Sequence, residues 1–142
     1  MNILNLRRVI ALLAMSLSLV GSVCAQQRDG NDKDPGWDPS ISDKIKLPKY
    51  CWSQYDSHFS RQSGIRSPMG VCGVYANHIC PGKVLLNRAL DTSRSKQQRR
   101  EYLARAKGDI EYSVKFLSPT CPLMPEVKAA QSQVQMLSGF LK

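Results

Sequence analysis

Residues 96–119, KQQRREYLARAKGDIEYSVKFLSP, decide the fold. Leu103, Ala106, Ile110, Val114 and Leu117 recur at spacings of three and four, the period of one helix face. The pattern predicts a helix over 98–118. Ser118-Pro119 ends it, because a proline pushes the residue before it out of the helical region. The first turns, Lys96, Gln97, Gln98, Arg99, Arg100 and Glu101, are polar throughout.

Working outward, Cys121-Pro122-Leu123-Met124-Pro125 reads as a rigid connector into a last helix. Leu123, Val127, Ala130, Val134, Leu137 and Leu141 lie on one face of that helix. Asp91-Thr92-Ser93 is a turn with cap residues. Before it, Ser67-Pro68 offers a capping serine and a proline suited to the first helical position. Val71, Tyr75, Ile79, Gly82, Leu86 and Ala89 then form another helical stripe, and Pro81-Gly82 predicts a kink or break inside it. Tyr50-Cys51-Trp52 and Tyr55 suggest a short helix or turn near 50–59. No segment alternates as a strand does. The expected fold is all-α: a helical hairpin plus a third helix.

The chain has 142 residues and a formal charge of +9, with 20 Lys+Arg against 11 Asp+Glu. That length allows one small domain and leaves little room for a nucleotide-binding sheet. Apolar residues make up 42%, enough for a core.

Arg7 and Arg8 followed by the apolar run Val9–Val20 and by Val23-Cys24-Ala25 read as a signal peptide over 1–25, cut before Gln26. The run is shorter than the roughly 20 residues a membrane span requires. No transmembrane span is expected after cleavage. Residues 26–47 read as a flexible acidic linker, and 48–142 as the helical domain. From Gln26 to Asp43 the charge is −3 (two basic, five acidic), so the domain proper is strongly basic. The acidic tail is free to fold back loosely on it.

Two resemblances support the helical reading. Ala106, Ile110, Ser113 and Pro119 resemble the small, large, small and closing-proline positions of a tetratricopeptide-type hairpin, with the proline one residue late. Over about residues 48–137, Pro48-Lys49-Tyr50-Cys51, Asn77-His78-Ile79-Cys80, Leu86-Asn87-Arg88-Ala89, Leu117-Ser118-Pro119 and Leu123-Met124-Pro125-Glu126-Val127 resemble a family of small exported proteobacterial tetratricopeptide-like proteins. The resemblance implies a helical scaffold without catalytic residues. The chain departs from the family by placing Pro81-Gly82 after Cys80.

Four cysteines remain after cleavage, and an even number in an exported chain implies two disulfides. Cys72 and Cys80 are about 12 Å apart along a straight helix, too far to bond to each other. In an antiparallel hairpin the end of the second helix returns to the start of the first. Cys72 is therefore expected to pair with Cys121, and by elimination Cys51 with Cys80.

Catalytic and cofactor signals are weak. His78 is close in sequence to Cys80, but there is no Cys-x-x-Cys, His-x-x-x-His or haem-attachment pattern, so no metal or other cofactor is expected. Secreted phospholipases carry an Asp directly after the active-site His; here that residue is Ile79. Glu101, Asp109, Glu111 and Glu126 read as helix-face carboxylates, with Arg105 four before Asp109 and Lys107 four before Glu111.

Arg94, Lys96, Arg99, Arg100, Arg105 and Lys107 form the candidate anion- or partner-binding run. Only Tyr102 is close enough to stack on a base, and with the export signal this argues against nucleic acid. The expectation is a periplasmic or secreted, non-catalytic interaction scaffold with a protein partner in the cell envelope. The rival expectations are a basic binder of envelope polyanions such as lipopolysaccharide and, more remotely, a small hydrolase. A hairpin and a half leaves a face uncovered, which self-association or docking would bury.

Overall fold

A computed structural model describes residues 34–56 and 69–142. The signal peptide expected at 1–25, the start of the linker and the helix start expected at Ser67-Pro68 lie outside these residues. Among the described residues there is no strand. The elements are α1 (Ile41–Ile45), α2 (Lys49–Tyr55), α3 (Met69–Cys72), a 3-10 helix η1 (Val74–His78), α4 (Ile79–Leu90), α5 (Lys96–Phe116) and α6 (Met124–Phe140).

The α5 stripe packs as its spacing requires. Leu103, Ala106, Ile110 and Leu117 are buried, together with Ser113, whose hydroxyl donates to the Asp109 carbonyl at 3.0 Å. Helix α6 buries Val127, Ala130, Val134 and Leu137, and Leu123 and Leu141 flank it on the same face. Helix α4 supplies Leu85, Leu86 and Ala89 to the same core. Each fully buried aliphatic side chain of this kind contributes about 1.5–3 kcal/mol. The N-terminus of α5 is closed by a capping box: Ser95 Oγ accepts from Gln98 N, and Gln98 Oε1 accepts from Ser95 N. The cap is thus Ser95, beyond the Asp91-Thr92-Ser93 turn.

The first stripe is where the sequence pattern misleads. The break falls at Gly73 (φ 81°), before Pro81. Pro81 sits in the first turn of α4, where its missing N–H costs no hydrogen bond and the helix runs through it unbroken. On either side of Gly73 the stripe fails, with Val71 79% and Tyr75 43% exposed and Cys72 and Ala76 inward instead, whereas Ile79, Gly82, Leu86 and Ala89 are buried as their spacing predicts.

Residues 34–47, expected to belong to a flexible linker, are folded. Ser40 and Asp43 form a capping box on α1, and Asp43 is buried beside Arg88, which donates from Nη2 at 2.7 Å and from Nε at 3.3 Å. Leu47 joins a small second cluster with Cys51, Cys80 and Val84. The low apolar content of the segment predicts mobility, but oppositely charged partners on the basic helices hold it instead.

The disulfides are Cys51–Cys80, with Cα atoms 5.5 Å apart, and Cys72–Cys121, at 5.0 Å. These are the pairs the hairpin geometry calls for. The first ties α2 to the opening turn of α4. The second ties α3 to the connector before α6.

Candidate functional site

Gly82 sets the geometry of the site. A Cβ at this position would lie 2.9 Å from Ile110 Cγ1 and 3.2 Å from Asp109 Cβ. Only a bare α-carbon lets α5 come this close to α4. The close approach brings Asp109 to His78, one turn before Gly82. His78 Nδ1 lies 2.7 Å from Asp109 Oδ1, across 31 residues of chain. Arg105, expected to be the helix-face partner of Asp109, instead pairs with Asp34.

Asp34 in turn builds the turn that presents Trp37. Its carboxylate accepts from Gly36 N at 3.0 Å, its carbonyl accepts from Trp37 N at 2.9 Å, and Tyr55 Oη donates to the Gly36 carbonyl at 2.7 Å. Trp37 meets the His78 ring edge-on at 5.2 Å. The row continues over the surface: His78 to Tyr112 at 4.4 Å, Tyr112 to Phe116 at 4.6 Å, and Phe116 stacked on Tyr75 at 5.4 Å. Lys115 Nζ sits 5.0 Å from the Phe116 ring centroid. Trp37, Tyr75, Tyr112 and Phe116 are all exposed, at 44%, 43%, 36% and 42%. Rings spaced 4.5–7 Å apart are in attractive contact, and here they make one continuous aromatic surface open to solvent.

Burial pushes the Asp109 carboxyl up from its ordinary value; the hydrogen bond and charge of His78 only partly offset this, and the nearby Asp34 adds to the rise. Burial, followed by the charges of Asp109 and Asp34, pushes the Tyr55 phenol well up. A carboxylate on Nδ1 orients the imidazole and leaves Nε2 as the ring's second nitrogen. Among the described residues, no serine, threonine or cysteine is bonded to His78. No group of three or more His, Cys, Asp or Glu among them could hold a metal ion.

The basic run does not converge on one site. Arg94 pairs with Asp91 and lies over the Tyr102 ring. Arg99 Nε donates to the Ala89 carbonyl at 2.8 Å, satisfying an acceptor in the last turn of α4. Arg105 belongs to the aromatic side through Asp34. Lys96, Arg100 and Lys107 remain on the outer edge of α5, bordering hollows there. The aromatic row escaped the sequence reading because its rings come from the 34–38 turn, η1 and α5. Tyr112 and Phe116, four apart on one helix, were the only local hint.

No family model, curated protein or solved structure matches this chain. No helix among the described residues is long and apolar enough to cross a membrane.

Proposed function

We propose that the protein is an exported, non-catalytic interaction module of the bacterial cell envelope, which engages a protein partner through the surface formed by Trp37, Tyr75, His78, Tyr112 and Phe116. The observation that carries this reading is the exposure of that continuous aromatic row on a scaffold closed by two disulfides. Solvent-exposed aromatic clusters are the usual anchors of protein interfaces, and disulfides persist in oxidising compartments. The tetratricopeptide-like resemblance and the signal-peptide pattern support the same reading. Helix α6 also leaves Met136 and Phe140 exposed, as a repeat without its next neighbour would.

The test places a photo-cross-linking residue at Tyr112 and, as a control, at Glu101 in cells producing the full chain. A discrete protein adduct at Tyr112 that is missing at Glu101 and lost in Phe116→Ser is the expected result. Equal adducts at both positions would sink the reading. An adduct containing only a second copy of the chain would replace the external partner with self-association.

The His78–Asp109 pair favours a second reading, a small hydrolase in which Nε2 activates water. Under that reading His78→Gln abolishes an ester-hydrolysing activity of the purified protein. Under the module reading there is no such activity to lose.

A further inference from the structure

Charge neutralisation on the basic helices is uneven. Lys83 pairs with Glu126, Arg88 with Asp43, Arg94 with Asp91, and Arg105 with Asp34. On the outer edge of α5, Lys96 and Arg100 have no carboxylate partner among the described residues, and Lys107 meets Glu111 only at 3.8 Å. Glu101 accepts from Gln97 at 3.1 Å instead of pairing with either. Lys96 and Arg100 are one turn apart, a spacing at which like charges repel. Lys96, the first residue of α5, also lies at the positive end of the helix dipole, which disfavours cations. Stability alone would not select this arrangement.

Two adjoining hollows run along this edge. The larger, about 600 Å³, is lined by Lys96, Gln97, Arg100, Glu101 and Ala104. The smaller, about 270 Å³, lies between α5 and the last turn of α6 and includes Arg100, Leu103, Ala104, Lys107, Leu141 and Lys142. Arg100 and Ala104 border both. Cations thus rim a floor formed by the exposed Ala104 and the edges of the otherwise buried Leu103 and Leu141.

We propose that this groove binds an anionic lipid, its phosphate held by Arg100, Lys107 and Lys142 and its acyl chain lying on Leu103, Ala104 and Leu141. One planar guanidinium and two flexible ammonium groups on the same hollow suit the several acceptor oxygens of a phosphate. The apolar floor is what distinguishes a lipid from a bare anion or a hydrophilic polyanion. The site shares no residue with the aromatic row, so it stands or falls independently of the proposed module function.

The test uses the full chain as recovered from producing cells, labelled for amide NMR. Dodecyl phosphate, kept below its micelle concentration, is titrated against inorganic phosphate. Saturable shifts at Arg100, Ala104, Lys107 and Leu141 are expected with dodecyl phosphate, and binding of inorganic phosphate is expected to be weaker by about tenfold or more. Arg100→Gln with Lys107→Gln weakens dodecyl phosphate by about tenfold or more, the scale of one charge-assisted hydrogen bond. Ala104→Trp fills the floor without changing charge, and it weakens dodecyl phosphate while leaving inorganic phosphate unaffected. Equal binding of the two ligands overturns the proposal in favour of a plain anion site. Shifts confined to other surfaces, or unchanged affinity in the double glutamine variant, overturn it outright.

Discussion

Gly82→Ala and Gly108→Ala make the same chemical change on neighbouring helices, and the structure assigns them opposite signs. Each gains about 1 kcal/mol of helix propensity. At Gly108 a new Cβ meets nothing within 4 Å, so the gain is kept. At Gly82 it meets Ile110 Cγ1 at 2.9 Å and Asp109 Cβ at 3.2 Å. Neither atom is the loose end of a flexible chain: Ile110 is buried and Asp109 Cβ is fixed to the α5 backbone. The helices must therefore part by some tenths of an ångström, and overpacking of this kind costs about 1–3 kcal/mol. In the comparison of the two variants the propensity gains cancel, leaving that steric cost as the difference. Gly108→Ala should be more stable than wild type by about 0.5–1 kcal/mol, and Gly82→Ala less stable by about 1 kcal/mol. Urea denaturation of the oxidised proteins, compared at equal m-values, measures both. Only Gly82→Ala should also shift the His78 and Tyr112 ring resonances, because the same approach of α4 to α5 seats Asp109 on His78. If Gly82→Ala matches or exceeds the stability of Gly108→Ala, the close approach is not what the structure shows and the account of the site fails with it.

Further outcomes test the other contacts. Arg99→Gln should lose about 1–2 kcal/mol because the Ala89 carbonyl loses a charged donor, whereas Arg100→Gln should be neutral or slightly stabilising; denaturation of the single variants separates them. Replacing both Cys51 and Cys80 by Ser should cost about 3–4 kcal/mol in the chain-entropy model and should speed amide exchange most in α1 and α2, which a small cluster and the Asp43–Arg88 pair otherwise hold. Asp43 is held below the usual carboxylate range: burial alone would raise it, but hydrogen bonds from Arg88 and Ser40 prevail. Its contribution is therefore complete above the unfolded value of about 4 and is lost as pH falls through the lower folded value. Asp43→Asn should flatten that acid limb in a stability–pH profile, and an unchanged limb would assign it to other carboxylates.

The sequence alone determined α5 and α6 and their inward faces, because their 3.6-residue period survives folding unchanged. Leu103, Ala106, Ile110, Val127, Ala130 and Val134 are buried as their spacing demands. It also determined the disulfide framework, since helix rise forbids a Cys72–Cys80 bond and a hairpin returns Cys121 to Cys72. Tertiary structure decided everything that depends on contacts between distant segments. Pro81 reads as a breaker, but in a first turn its missing donor is irrelevant; the break belongs to Gly73, whose positive φ no periodicity reveals. Asp34 and Asp43 read as tail charges until Arg105 and Arg88 are seen beside them. The basic run is one block in sequence and four environments in space, because a helix sends neighbouring residues to different faces. The aromatic row and the His78–Asp109 pair exist only where the 34–38 turn, η1 and α5 converge, and the bare α-carbon of Gly82 that lets α4 and α5 meet carries no local signal of the partner it admits.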